Sequence, residues 1–285
     1  MKLTLHLIRR LARTASIVLL VLIGSTLLVR LAPGYLSDAR EMDPRYANVA
    51  RAELSAEAAR SASLSHTLST EIKGWIHLNF GVSRQYNVSV TELLGPGLAV
   101  TGSLLLRSIL CSWVLAICAA LFANPRRSPS LLWQVPAALL LATPVAAMAT
   151  ICLLADSGGP VLVMTLLLAA RDFKFLDRLV RRAWLDPHVL QARAQGISGS
   201  RMLRFFVLPG LLSPLTALAT LSIVTALSLI VPVEVIFNIP GIGQLAWNAA
   251  MNRDLPILLA ITVLMALSVS LATMLSERPT EWQSA

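Results

Sequence analysis

The 285-residue sequence is poor in charge and in aromatic side chains, with 14% charged and 6% aromatic residues. A soluble domain carries about 25% charged residues, so the shortage argues against an ordinary soluble or nucleic-acid-binding chain. Hydrophobic residues make up 56% of the sequence, and because few of them are aromatic, the surplus is aliphatic. This composition predicts a polytopic membrane protein.

Motifs that would indicate catalysis or metal binding are also absent from the sequence. There is no phosphate-binding loop of the GxxxxGK[ST] form, no nucleophile elbow and no paired-carboxylate motif. The four histidines lack metal-ligand spacing, and the three cysteines fall in apolar runs, where we expect them to be packing residues. The sequence therefore predicts no enzymatic activity, no metal site and no cofactor in this chain.

Six apolar runs are candidates for helices that cross the bilayer, which takes roughly 20 residues per helix. The first follows three arginines but lacks a clear cleavage site, so we interpret it as a retained span and not a signal peptide. The fourth is short, and it either continues as an amphipathic helix that leaves the bilayer at a slant or forms a re-entrant segment. The runs are residues 11–32, 98–123, 131–155, 159–170, 207–237 and 256–275.

The basic residues support a short fourth span because they then lie mainly on one side of the membrane. With the N-terminus in the cytoplasm, 15 of the 24 Lys and Arg residues are inside and seven are outside. Eight of the inside residues lie in the segment 171–206. This is the positive-inside pattern. The sequence thus predicts an all-α fold with six transmembrane helices and with both termini cytoplasmic.

These spans divide the chain into three regions. Residues 1–32 are the cytoplasmic N-terminus and the first transmembrane helix, and residues 33–97 are an external segment whose first half is expected to be helical. Residues 98–285 form the transmembrane core, with a cytoplasmic loop at 171–206.

The most informative part of this loop is the stretch DPHVLQARAQGIS at residues 186–198. Asp186 is a good N-cap, Pro187 suits the first turn of a helix, and Gly196 is placed to end that helix. A second helix at residues 200–206 is expected to lead into the fifth span. Taken alone, the short helix is either an amphipathic helix on anionic lipid or a connector.

Two blocks of this sequence resemble the permease subunits of ABC importers. Residues 190–192, Gly196 and the Leu-Pro pair at 208–209 are similar in order and spacing to the EAA, Gly and Leu-Pro elements of the cytoplasmic loop in that family. ARAQGIS at 192–198 resembles the ARAKGLS run of the dipeptide, oligopeptide and nickel subfamily. EVIFNIPGIGQL at 234–245 and NRDLP at 252–256 resemble its ExxFxxPGxGxL and ARDYP motifs, and NFGVS at 79–83 is a weaker match.

The resemblance implies a type I importer fold and a multi-pass protein of a bacterial or archaeal inner membrane. It implies two ATPase subunits that bind ATP and Mg, a second and paralogous permease subunit, an extracytoplasmic substrate-binding protein and the lipid bilayer as partners, without nucleic acid. The implied solute is a peptide or a related small solute such as a nickel chelate. The alternatives are a stand-alone secondary carrier and a non-transporting membrane scaffold.

The resemblance also implies two groups of functional residues. The ATPase-coupling loop comprises Asp186, Pro187, His188, Val189, Leu190, Gln191, Ala192, Arg193, Ala194, Gly196, Ser198, Leu208 and Pro209. The translocation path or outer gate comprises Arg107, Glu234, Phe237, Pro240, Gly241, Gly243, Arg253 and Asp254.

Particular roles are expected for five of these residues. Ala192 and Ala194 would allow a close approach of the ATPase, and Arg193 would pair either with an acidic rim or with lipid phosphate. Arg107 would face the subunit interior and meet either a polar substrate or Glu234. Glu234 itself is either a functional acid or the partner of an interfacial arginine, Arg253.

Overall fold

The computed structural model describes residues 2–31, 73–74, 79–122 and 131–276, and these residues are almost entirely helical. This confirms the all-α prediction for the described part of the chain, where a short bridge between Val82 and Ser89 is the exception. The predicted helix in the first half of the external segment lies outside the described residues. The helices are α1 (Lys2–Leu31), α2 (Val90–Phe122), α3 (Leu131–Ala142), α4 (Val145–Leu154), α5 (Pro160–Leu185), α6 (Pro187–Ala194), α7 (Gly199–Met202), α8 (Leu208–Ile236), α9 (Ile242–Met251) and α10 (Leu255–Ser276).

Three stretches of described helix are long and apolar enough to cross a bilayer, namely Val90–Ala120, Leu203–Ile236 and Leu255–Met274. They match the predicted second, fifth and sixth spans. The second begins before residue 98 because α2 accommodates Pro96 in its interior. Helix α1 covers the predicted first span, and its crossing of the membrane stays a prediction.

The predicted third span is broken. Helices α3 and α4 meet at an angle of 98°, with Thr143 and Pro144 between them. Pro144 has an extended backbone (ψ 137°) and lacks the N–H that would continue the hydrogen bonding of α3. The 12 and 10 residues of the two helices are each too short to cross about 30 Å of hydrocarbon. Residues 131–155 therefore form a pair of helices bent at Pro144, and the predicted crossing of the membrane by this segment stays a prediction.

The predicted fourth span is the start of a continuous 26-residue helix, α5. Its buried face continues past residue 170 through Phe173 and Leu176, so the amphipathic continuation is confirmed. Ala183 of α5 packs in one cluster with Leu211 of α8, whereas Asp172 of α5 bonds to Ser222 of α8. Helices α5 and α8 are therefore antiparallel.

The predicted helix at residues 200–206, which leads into the fifth span, is present, although it consists of two kinds of helical turn. Helix α7 is a single turn, and a π-helical turn, Leu203–Val207, joins it to α8 without a break. Pro209 does not interrupt the helix because it lies in the first turn of α8, where a missing N–H is tolerated.

The chain divides into two compact units, one of residues 1–100 and 240–271 and the other of residues 101–239 and 272–285. In the first unit, apolar residues of the start of α2, of α9 and of α10 form one core. In the second unit, one core joins α2, α3, α5 and α8, and another lies beneath α6. The residues of the first core are Val90, Leu94, Ile242, Ala249, Ile257, Ala260 and Ile261.

Candidate functional site

Helix α6 begins at the position that the sequence predicts. Asp186 has an extended backbone (ψ 138°), and its carbonyl oxygen accepts hydrogen bonds from the N–H groups of Val189 and Leu190, both at 3.0 Å. Pro187 occupies the first turn, where its missing N–H costs nothing. The Asp186 side chain makes no capping hydrogen bond, so its carboxylate acts on the helix only through its charge.

Gly196 ends α6 in a Schellman motif. The N–H of Ile197 donates to the Ala192 carbonyl at 3.3 Å, and the N–H of Gly196 donates to the Arg193 carbonyl at 3.1 Å. Gly196 has a φ of +76°, in the left-handed region that favours glycine. The predicted stop of the helix at this residue is confirmed.

The inner face of α6 holds it against the rest of its own unit. Val189 and Ala192 are 1% and 3% exposed, and Val189 packs with Ala183 of α5 and Val207 before α8. The Nε2 atom of His188 lies 3.3 Å from the Phe206 carbonyl oxygen. Because Ala192 is on this inner face, its small side chain serves packing within the chain and does not lie on the surface that a partner would approach.

The outer face of α6 is exposed and combines a cation, an apolar side chain and small residues. Leu190 is 46% exposed. Ser198, Leu208 and Pro209 are exposed at the end of the loop. The exposed residues of α6 and its N-cap are Asp186, Pro187, His188, Leu190, Gln191, Arg193 and Ala194.

Glu234 lies near the C-terminal end of α8 and is fully buried. The hydroxyl of Thr101 in α2 donates to its Oε1 atom at 2.6 Å. A charge-assisted hydrogen bond of this kind stabilises a buried carboxylate. The expected pairing of Glu234 with Arg253 stays a prediction.

Arg107 is exposed on α2, so the prediction that it faces the subunit interior is wrong. Its Nε atom donates to the Ser103 carbonyl oxygen at 3.0 Å, and its Nη2 atom donates to the Ser103 hydroxyl at 2.9 Å. The guanidinium is therefore held along its own helix and not against Glu234. It lies well inside the apolar stretch Val90–Ala120.

The connection after α8 is a tight turn followed by glycines. Phe237 caps α8, and the N–H of Ile239 returns to the Glu234 carbonyl at 2.8 Å. Pro240 is exposed, whereas Gly241 and Gly243 are buried at the start of α9.

A glycine also lies where α2 meets the start of α9. A Cβ atom on Gly97 would lie 3.1 Å from the Cδ1 atom of Ile242. The glycines thus allow the start of α9 to pack closely against the start of α2.

Asp254 joins two of the sequence blocks. It is fully buried, and its Oδ2 atom accepts hydrogen bonds from the Ser83 hydroxyl at 2.5 Å and from the Gln85 N–H at 3.0 Å. The neighbouring Arg253 is exposed and has a φ of +55°. The NFGVS and NRDLP motifs therefore meet at one carboxylate, a contact that the spacing of the motifs in the sequence does not indicate.

Asp172 is a further buried carboxylate, and it is not among the site residues that the sequence predicts. It is fully buried. The Ser222 hydroxyl donates to its Oδ1 atom at 2.8 Å, and the Ser112 hydroxyl lies 3.3 Å from its Oδ2 atom. Leu168, Asp172 and Leu176 follow one another at intervals of four residues, so the helical period alone places Asp172 on the same face of α5 as the two leucines.

Asp177 is also a buried acid, and it differs from Asp172 in its partners. Gln134 of α3 donates to its Oδ2 atom at 2.9 Å, and the Nε atom of Arg181, one turn later in α5, bonds to both carboxylate oxygens. The carboxylate is thus paired with a cation of its own helix.

No group of metal-ligating residues occurs among the described residues. Cys111 and Cys118 are exposed on α2, and Cys152 is buried in α4. None of the three forms a disulfide within the described part of the chain.

Comparison with known proteins identifies the family. Residues 89–281 match the family model described as "Binding-protein-dependent transport system inner membrane component". The chain belongs to this family. The matched region contains α6 and the buried acids Asp172, Asp177, Glu234 and Asp254.

Curated relatives agree with the family. The chain is 26% identical to the probable peptide ABC transporter permease protein y4tP of Sinorhizobium fredii over 92% of both chains. It is 32% identical to the oligopeptide transport system permease protein AppB of Bacillus subtilis, over 39% of this chain and 36% of AppB. It is 31% identical to the metal-staphylopine import system permease protein CntB of Staphylococcus aureus, over 38% of this chain and 34% of CntB. The chain thus matches about a third of the length of two of these relatives.

Proposed function

We propose that this chain is the permease subunit of an ATP-driven, binding-protein-dependent importer of peptides or of a related small solute such as a nickel chelate. The observation that carries the proposal is the geometry of α6. Its inner face is packed at the end of α5, and its outer face exposes Leu190, Gln191 and Arg193. A rigid helix fixed to a long helix can transmit a displacement of a partner protein to that helix.

The complex that we propose contains two ATPase subunits, a second and paralogous permease subunit and an extracytoplasmic substrate-binding protein. ATP and Mg²⁺ bind to the ATPase subunits, so this chain has no catalytic role of its own. The solute class rests on the names of the relatives, which refer to peptides, oligopeptides and metal-staphylopine.

We also propose six spans in an inner membrane, with both termini in the cytoplasm. The register of α5 against α8 supports this arrangement. Pro160 precedes Asp172 by twelve residues, about 18 Å of helix, and α5 is antiparallel to α8. The start of α5 is therefore level with Glu234, at the end of α8 opposite the arginine-rich loop.

The two groups of site residues keep separate roles in this proposal. The exposed residues of α6 and its flanks form the surface for the ATPase. Arg107, Glu234 and the residues Phe237, Pro240, Gly241, Gly243, Arg253 and Asp254 between α8 and α10 belong to the translocation path or its outer gate. Arg107, Pro240 and Arg253 are the exposed members of this set, so a solute or the second permease subunit could contact them directly.

The test compares two exposed arginines of the loop. Arg193 lies on the outer face of α6, whereas Arg201 lies on α7. We expect Arg193→Glu to weaken binding of the purified ATPase subunit at least tenfold, measured in detergent without lipid vesicles, and Arg201→Glu to change it less than threefold. An unchanged affinity of the Arg193 variant would assign this residue to lipid phosphate instead.

A stand-alone secondary carrier is the second candidate, and the buried carboxylates of Asp172 and Glu234 are the observation that favours it. Ion-coupled carriers use such acids. Proteoliposomes with the chain and the binding protein but without ATPase distinguish the two functions. Uptake driven by a proton gradient in these vesicles would support the carrier, and uptake that requires ATPase and ATP supports the importer. A chain that supports neither would be a scaffold.

A further inference from the structure

Asp172 connects three helices at one point. It projects from α5, and the Ser222 hydroxyl of α8 donates to its Oδ1 atom at 2.8 Å. The Ser112 hydroxyl of α2 lies 3.3 Å from its Oδ2 atom and also bonds to the Ile109 carbonyl of its own helix at 2.9 Å. The Nε1 atom of Trp113 donates to the Ser222 hydroxyl oxygen at 3.3 Å. The result is a continuous path of hydrogen bonds from α2 through α8 to α5.

The neighbouring residue strengthens the same junction. The Nη1 atom of Arg171 donates to the carbonyl oxygen of Leu221 at 3.0 Å. Two consecutive residues of α5 therefore bind two consecutive residues of α8. Arg171 binds the backbone carbonyl of Leu221, and Asp172 binds the side chain of Ser222. This fixes the position of α5 along α8 as well as its distance from it.

Burying a carboxylate between helices is energetically unfavourable. Its burial without full compensation is unfavourable, and an apolar side chain of similar size packs at lower cost. Each oxygen of Asp172 has one hydroxyl partner, although a carboxylate can accept about four hydrogen bonds. Its role is therefore better explained by the position it enforces than by the stability it adds.

One continuous helix connects this junction to α6. Helix α5 continues without a break from Asp172 to Leu185, about 20 Å at 1.5 Å per residue, and α6 follows after Asp186. On the other side of the junction, α2 and α8 also meet where Thr101 bonds to Glu234. A shift of α6 that moves α5 along its axis acts on both helices at Asp172.

We propose that Asp172 is a positioning residue that transmits the displacement of α6 to α2 and α8. This inference rests on the proposed importer function. In this view, the junction of Ser112, Asp172 and Ser222 couples ATP hydrolysis to solute movement.

The test uses the whole importer in proteoliposomes, with ATP hydrolysis and uptake of a labelled peptide measured on the same vesicles. We expect Asp172→Ala to reduce uptake at least tenfold and to change hydrolysis less than twofold, so that the ATP used per peptide rises at least fivefold. Asp172→Asn should keep this ratio within twofold of the wild type, because a carboxamide can bond to both serines.

Asp177→Ala is the matched control, since Asp177 is also a buried aspartate of α5 but bonds to α3 and to its own helix. We expect it to leave the ratio within twofold of the wild type. Equal ratios in the Ala variants at 172 and 177, or a proportional loss of uptake and hydrolysis in Asp172→Ala, would overturn the inference.

Ser222→Ala keeps the test decisive if Asp172→Ala does not assemble. It removes no charge, but it removes the hydroxyl that bonds to Asp172 and accepts from Trp113. It should raise the ATP used per peptide at least twofold; an unchanged ratio would contradict the role of the junction. Wild-type vesicles without any ATP-dependent uptake would instead refute the proposed function, which separates the two failures.

Discussion

At the scale of single residues, Gly196 combines a left-handed backbone with open space. Its φ is +76°, and a Cβ atom placed on it would have no heavy atom within 4 Å. Any effect of substitution therefore arises from the backbone and not from a clash. An L-residue in this conformation costs about 1–2 kcal/mol, and less for asparagine.

We predict that Gly196→Val lowers the affinity for the ATPase by about tenfold, whereas Gly196→Asn stays within threefold of the wild type, with affinity measured in detergent. Gly210 is the matched control because it also faces open space but lies within α8. Gly210→Ala should leave the affinity unchanged and raise the thermal midpoint, since alanine favours a helix by about 1 kcal/mol. Equal affinities of the Val and Asn variants at position 196 would contradict a backbone role.

The residues that could be predicted from the sequence are those whose partners are near in the chain. Pro187 and Gly196 begin and end α6 through backbone bonds that span at most five residues, and both were predicted. The bonds of Asp172 reach across 50 and 60 residues, and that of Asp254 across 171. Such contacts depend on how helices pack, so the residue pattern alone does not indicate them.

At the scale of structural elements, the apolar runs predicted three of the spans well, and prolines account for the main differences. Pro96 is accepted within α2, whereas Pro144 separates α3 from α4. Proline lacks an N–H at both positions, yet α2 continues past Pro96 whereas α3 ends before Pro144. The length of an apolar run therefore does not distinguish a straight span from a broken one.

The short segment before α2 is an element that one carboxylate holds in place. Ser83 is 1% exposed, and its hydroxyl donates to Asp254. The N–H of Tyr86 donates to the Ser83 hydroxyl oxygen at 3.0 Å. Ser89 is in the same segment, but its hydroxyl bonds to Thr91 near the surface.

We predict that Ser83→Ala destabilises the protein by about 1–3 kcal/mol, because it leaves buried polar groups without a partner. Ser89→Ala, the control, should change the free energy of unfolding by less than about 0.5 kcal/mol. The measurement is the thermal midpoint of the detergent-solubilised chain. A similar midpoint for both variants would show that the Asp254 contact does not hold this segment.

At the scale of the whole molecule, two topologies place the basic loop in the cytoplasm. If α3 and α4 form one broken span, residues 155–159 are external and α5 crosses back, which makes six spans. If α3 and α4 form a re-entrant segment, residues 155–159 are cytoplasmic and α5 does not cross, which makes four. The positive-inside rule is satisfied by both, since neither moves the cations of residues 171–206.

The register of α5 favours six spans, and Ser157 provides the decisive position because it is exposed between α4 and α5. We predict that Ser157→Cys, in a chain whose three cysteines are replaced, reacts with a membrane-impermeant maleimide on intact spheroplasts. Tyr86→Cys should react in the same way, and Arg201→Cys should react only after permeabilisation. If Ser157→Cys reacts only after permeabilisation, as Arg201→Cys should, the chain has four spans. Helix α5 would then reach Asp172 from the cytoplasmic side.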